Sequence, residues 1–132
     1  MKIHRSIIKQ MIQHAQADAP IEACGYLAGK DDIITAVFRL KNVDNSPEHF
    51  SFEPAEQFAA VRQMRAAGLR LRAVYHSHPA TPARPSQEDI RLANDPLLSY
   101  VIVSLASGQT DVKSFRIRDG QATVESLNII AD

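Results

Sequence analysis

The sequence predicts a mixed α/β fold, a curved and mostly antiparallel sheet flanked by helices. Residues from about 5 to 18 carry apolar side chains at helical spacing. Apolar and β-branched runs of strand length lie on either side of a second helical segment. The last third of the chain reads as a meander, its short strands parted by Ser107-Gly108 and Asp119-Gly120. At 132 residues the chain fits one domain, residues 1–132, able to bury roughly two-thirds of its unfolded surface.

Each element has a local reason. Ile7, Ile8, Met11, Ile12 and Ala15 fall on one helical face, and Asp18 and Pro20 end that helix. Ala23 to Ala28 reads as a short buried strand in which Gly25 and Gly29 permit a close backbone approach or a turn. Asp31-Asp32 turns the chain into Ile33 to Val43, a run expected to pair with the strand before it. Asn42 to Glu48 is polar and reads as a loop, and Phe50 and Phe52 alternate with Ser51 as a strand fragment would. Pro54 suits the first position of a second helix carrying Phe58, Val61, Met64 and Arg65, which Gly68 closes. Leu69 to Tyr75 is the next strand and runs on into His76-Ser77-His78-Pro79. Ser86 to Ala93 is a short helix stopped by Asn94-Asp95-Pro96. Ser99 to Leu105 is apolar enough for a central strand, and Val112 to Arg118 with Ala122 to Leu127 forms the last hairpin.

Composition narrows the function. Fifteen Lys and Arg balance fifteen Asp and Glu, which argues against a nucleic-acid binder that works by neutralising phosphates. A lone cysteine, Cys24, can form no internal disulfide and no multi-thiolate metal site. Polar residues interrupt the N-terminal segment before a signal-peptide core can form, and Leu97 to Ala106 is too short to span a bilayer. The expectation is a soluble, cytoplasmic protein without a membrane or nucleic-acid partner.

The chemistry centres on His76 and His78. Side chains two apart on a strand share a face, so both imidazoles can converge on one point, and neutral imidazole is a common zinc ligand. His-x-His alone is weak evidence. Downstream, Ser86-Gln87-Glu88-Asp89 has the form of a capping box, with Ser86 at the N-cap. Asp89 in that first turn could aim its carboxylate at His76 and His78, and three protein ligands plus water is the catalytic rather than the structural zinc pattern. Such a site needs a base. Glu22 enters an otherwise apolar strand, where an unpartnered carboxylate is costly.

These residues resemble the JAMM-motif metalloproteases of the MPN family, whose signature is an upstream Glu followed by His-x-His, seven residues, and Ser-x-x-Asp. His76, His78, the seven residues Pro79 to Pro85, Ser86 and Asp89 fit without a gap, and the resemblance covers nearly the whole chain. It implies a cytidine-deaminase-like α/β fold, zinc held by His76, His78 and Asp89, Glu22 as general base, and Ser86 as hydrogen-bond donor to the oxyanion. It also implies hydrolysis of a peptide or isopeptide bond at the C-terminus of ubiquitin or a ubiquitin-like protein. The eukaryotic members grip ubiquitin with insertions at places that are short here, Asn42 to His49 and Asn94 to Ser99. The chain therefore looks like the compact prokaryotic members, and the implied partner is a ubiquitin-like sulfur carrier ending in Gly-Gly. Two competing functions stay open at this point: a non-catalytic MPN scaffold, and a zinc hydrolase of a small amide.

Other candidates are weaker. No cysteine-protease signature surrounds Cys24, which reads as a small core residue. His4, His14 and His49 lack ligand spacing and read as surface or supporting residues, Arg84 and Arg91 as solvated neighbours of the site, and Tyr26 and Phe38 as core. A nucleobase deaminase would need cysteines this chain lacks, and no P-loop or Gly-x-Ser-x-Gly occurs.

Overall fold

The computed structural model describes residues 1–132. Its strands are β1 (Lys2–His4), β2 (Cys24–Lys30), β3 (Ile33–Leu40), β4 (Arg70–His78), β5 (Ser99–Ser104), β6 (Asp111–Arg118), β7 (Gln121–Glu125) and β8 (Asn128–Ile130). The helices are α1 (Arg5–Asp18), α2 (Pro54–Ala66) and α3 (Gln87–Leu92). The strands make one eight-stranded sheet in the order β7-β6-β5-β4-β2-β3-β1-β8. Only Ser126 and Leu127 join β7 to β8, the two strands at opposite ends of that order, so the sheet curls back on itself.

Alternation along the central strands supplies both faces with core. On one face, Ile7, Ile8, Met11 and Ala15 of α1 bury against Leu27, Ile34, Ala73, Tyr75, Val101 and Val103. On the other, Ala60 and Met64 of α2 pack on Tyr26, Ala28 and Leu40, while Ile102, Phe115 and Ile117 lie beneath Ile90 and Ala93. The β2–β3 and β2–β4 pairs are antiparallel, whereas β4 and β5 run parallel, with α3 in the crossover between them. Along β4, Ala73 and Tyr75 turn toward α1, which puts His76 and His78 on the face carrying α2 and α3. No helix is long and apolar enough to cross a membrane.

The mixed α/β class, all three helices and the principal strands agree with the sequence reading, and several details do not. β1 and β8 are too short to show periodicity, and both pair parallel, β1 with β3 and β8 with β1. The third strand stops at Leu40 rather than Val43. Phe50 to Phe52 is not a strand: Ser51 alone bonds inward, its C=O accepting from Val43 and its N–H donating to the Asn42 side chain. Of the residues expected on the second helix, Met64 is buried with Ala60, while Phe58 is 73% exposed. Of the two readings for His14, surface or supporting, the first fails: it is buried on the apolar face of α1 with Nδ1 2.7 Å from Tyr75 Oη and Nε2 3.1 Å from Asp18. Phe38 is half-buried against the α2 cluster.

Gly25 makes this packing possible. A Cβ there would overlap the Phe38 carbonyl oxygen and the ring of Tyr75. Overpacking of this kind typically destabilises by about 1–3 kcal/mol. Gly25→Ala is accordingly expected to lower the unfolding free energy from urea titration by about 1–3 kcal/mol; an unchanged value would contradict the close approach.

Candidate metal centre

The site is assembled at the C-terminal end of β4. The β2–β4 pairing continues past Cys24 opposite His76: Ser77 donates its N–H to the Ala23 carbonyl at 2.9 Å, and the Ala23 N–H donates to Ser77 Oγ at 2.8 Å. Continuing that register sets Glu22 opposite His78, with its side chain on the same face as both histidines. The buried Ser77 on the reverse face acts as a clamp, a role the sequence did not suggest.

Pro79 to Pro85 carries the chain from β4 to α3. It is pinned by Ser104 Oγ donating to the Thr81 carbonyl at 2.6 Å, by buried Ala83, and by His78 Nδ1 donating to the Pro82 carbonyl at 2.8 Å. Both halves of the expected capping box form: Asp89 N–H donates to Ser86 Oγ at 3.0 Å and Ser86 N–H to Asp89 Oδ2 at 2.9 Å. The box fixes the aspartate carboxylate and directs it at the histidines. His76 Nε2, His78 Nε2 and Asp89 Oδ2 form a triangle with every edge 3.1 Å.

The donor set fits a metal ion. A carbonyl oxygen can only accept, so the Pro82 contact places a proton on His78 Nδ1. A neutral His78 then turns a bare Nε2 lone pair toward the Asp89 carboxylate, an arrangement that needs a proton or a cation between them. The Nδ1–H···O=C bond is also the usual support of a metal-ligating histidine. Phe50 stacks on His76 with ring centroids 4.8 Å apart and planes 28° from parallel, restraining the second imidazole.

Glu22 is 3% exposed, and its Oε1 has no hydrogen-bond partner in the protein. Burial raises its pKa to about 8, opposed by His78 and reinforced by Asp89. Burial acts on Asp89 in the same sense, but hydrogen bonds from His76, His78 and the Ser86 N–H outweigh it and hold that carboxyl well below the usual carboxylate range. For His78, burial lowers the pKa, yet the bonds to Asp89 and Pro82 prevail and leave it raised. Burial pushes the Cys24 thiol up to about 12, so it stays protonated in the core. Arg84 and Arg91 are exposed, and Arg91 pairs with Glu88 at 3.6 Å.

The sequence reading treated residues 42 to 48 as loop and missed Asn42. Its buried amide donates to the Glu22 and His49 carbonyls at 3.1 and 3.0 Å, and its Oδ1 accepts from Asp44 and Ser51. It thereby ties the strand entrance at Glu22 to the segment carrying Phe50. A short polar side chain at the head of a loop is the available signal, since Asn commonly bonds the backbone two residues on. Beside the triangle opens a cleft of about 370 Å³, walled by Tyr26, Phe50, Phe52, Leu92 and Leu98.

A curled sheet wrapped on α1, with an imidazole pair ending β4 and a carboxylate on the capping turn that follows, defines a JAMM-type hydrolase. The chain belongs to the prokaryotic homologues of the JAB domain, whose family profile matches residues 4–118. It is 36% identical over 131 residues to the CysO-cysteine peptidase of Mycobacterium tuberculosis, covering 97% of this chain and 90% of that one. A Thermus thermophilus protein named as a probable TtuB-protein conjugate cleaving protease is 33% identical over 120 residues, covering 90% of this chain and 77% of that one. The solution structure of a Desulfitobacterium hafniense protein, 43% identical, matches with a TM-score of 0.91 over 100% of this chain and 94% of that one.

The pKa shifts make metal-free stability pH-dependent. Glu22 is raised from 4.5 to about 8, so its contribution is complete below its unfolded value and is lost as pH rises through about 8. His78, also raised, acts in the same direction above about 6.5, whereas the lowered Asp89 is lost as pH falls below about 4. In chelator, the urea midpoint should fall between about pH 5 and pH 9, and Glu22→Gln should flatten that fall. A decline of equal depth in the variant would contradict the burial of Glu22.

Proposed function

We propose that this chain is a zinc-dependent peptidase that hydrolyses the peptide or isopeptide bond after the C-terminal Gly-Gly of a ubiquitin-like sulfur carrier, and that residues 1–132 act as one such domain. The observation that carries the reading is a buried carboxylate without a partner, Glu22, on the same face as a convergent His76, His78 and Asp89. The relatives named for cleaving CysO–cysteine and TtuB–protein conjugates point to the same substrate class.

His76, His78 and Asp89 would hold the zinc. The 3.1 Å edges of their triangle approach the about 3.3 Å between neighbouring ligands of a tetrahedral ion with bonds of about 2.0 Å. Bound there, zinc supplies a Lewis acid that polarises the scissile carbonyl and acidifies a water. Glu22, as a carboxylate beside the bound cation, would take a proton from the attacking water and return it to the departing nitrogen. Ser86 Oγ accepts from the Asp89 N–H as a cap, which leaves its own hydrogen free to donate to the developing oxyanion. The helix-cap role and the catalytic role are therefore compatible in one side chain.

The cleft suits an extended tail. Neither Phe50 nor Phe52 uses its backbone N–H or C=O within the chain, while Ser51 between them bonds inward. A tail lying along this segment could pair with those free groups as an added strand. Glycine near the scissile bond suits the close approach to a backbone. A purely scaffolding role would leave both the open edge and the unpartnered Glu22 without a purpose.

Glu22→Gln is expected to keep its zinc while turnover of a carrier bearing one residue after Gly-Gly falls by roughly 10²–10⁴-fold. Ser86→Ala should slow turnover as well and cost about 1 kcal/mol of stability through the lost cap. Undiminished turnover in Glu22→Gln would overturn the assignment of the base, and hydrolysis of small amides with no preference for the carrier would overturn the substrate class.

A further inference from the structure

Glu22 lies just outside β2, and its backbone is held by something other than a strand. The β2–β3 pairing ends with Cys24 opposite Leu40; carried two residues further, that register would set Asn42 across from Glu22. The chain turns away there instead, the Asn42 carbonyl accepting from the Asn45 N–H at 3.2 Å. The Asn42 side chain takes the place left open in the ladder. Its amide donates to the Glu22 carbonyl at 3.1 Å, while the Glu22 N–H donates to the Ser46 carbonyl at 2.9 Å. Both backbone polar groups of Glu22 are thus satisfied by residues 42–46.

The segment that holds Glu22 is braced on the same side chain. Asn42 is buried, its amide donates also to the His49 carbonyl at 3.0 Å, and its Oδ1 accepts the N–H groups of Asp44 and Ser51 at 3.0 and 3.3 Å. Asp44 adds a second tie, accepting from Ser51 Oγ at 2.7 Å and lying 3.0 Å from His49 Nδ1. The ligand triangle has separate supports: His76 and His78 are paired within the sheet on both sides, and Asp89 is fixed by the α3 capping box. Glu22 has no comparable hold on its side chain, since Oε1 meets no donor in the protein. The position of its carboxylate is therefore inherited from its backbone, and the backbone is held by Asn42.

We propose that Asn42 is the positioning residue of the general base, holding the Glu22 carboxylate in place against the ligand triangle through the Glu22 carbonyl. This rests on the proposed function, and deepens it by assigning what places the base. A misplacement of about 1 Å at a reacting group is enough to cost about 100-fold in rate. A residue that acts through another also loses its effect once the other is gone, which separates positioning from general support of the fold.

The test is a double-mutant cycle on zinc-loaded protein, read as the maximal single-turnover rate on a ubiquitin-like carrier bearing one residue after Gly-Gly, with zinc content measured in parallel. Asn42→Ala is expected to lower that rate about 10–100-fold in the otherwise wild-type chain, and to leave the residual rate of Glu22→Gln unchanged. Zinc should stay at about one per folded chain in every variant. Should Asn42→Ala fail to fold, Asn42→Asp serves in its place: it keeps the acceptor for Asp44 and Ser51, loses the donor to Glu22, and should give the same pattern. Equal fold-losses in the two backgrounds would overturn the proposal and make Asn42 a support of the fold or of the cleft edge alone. An undiminished rate in the single variant would overturn it as well, and so would a loss of rate that merely follows a loss of zinc. A Glu22→Gln chain as fast as the wild type would instead overturn the base, and with it the proposed function on which the assignment rests.

Discussion

The alternation of side chains along β4 is the constraint on which the rest depends. Tyr75 and Ser77 must face α1 and the Ala23 strand end for the core to close, and that requirement alone sends His76 and His78 together to the opposite face. Gly25 allows the Tyr75 ring to lie against β2, so the rigidity of the core is passed directly to the histidines next in sequence. Carried two residues beyond the Cys24–His76 pair, the β2–β4 register sets Glu22 opposite His78. Three of the five candidate site positions are thereby fixed by one antiparallel pair.

The remaining two, Ser86 and Asp89, are fixed by a helix cap. A six-residue helix is too short to be stable by propensity, so α3 depends on its capping box and on Ile90 and Ala93 packing over Ile102. Stability and chemistry coincide in the same carboxylate: Asp89 closes the box and also completes the triangle. The electrostatic result is two carboxyls, Glu22 buried and Asp89 half-buried, with opposite behaviour. Asp89, surrounded by donors, is held well below the usual carboxylate range; Glu22, desolvated and without a donor at Oε1, is pushed up to about 8 in the metal-free protein.

What was legible in the sequence was whatever the chain encodes over a few residues. His-x-His on a strand and Ser-x-x-Asp at a helix start each translate spacing into geometry through a single period, so the triangle could be anticipated. Glu22 was visible as a charge in an apolar strand, although nothing local says which histidine it faces. Contacts made between distant segments were not legible. Asn42 bonding the Glu22 carbonyl, Phe50 stacking on His76 and the Pro82 carbonyl fixing the His78 tautomer all depend on how loops return to the strand ends. The curl of the sheet rests on β1 and β8, strands of three residues each that have no periodicity to read. The orientation of α2 was not legible either: Ala60 and Met64 face the sheet and the Phe58 ring is left in solvent.

The most direct test of the central claim is zinc content per chain, measured by elemental analysis on the purified protein and on His76→Ala. The account predicts about one zinc per chain in the wild type and loss of most of it in the variant, with the far-ultraviolet circular dichroism of the two proteins alike. Equal zinc in both, or none in either after zinc is supplied, would contradict it and leave Ser86 and Asp89 as no more than the cap of a short helix.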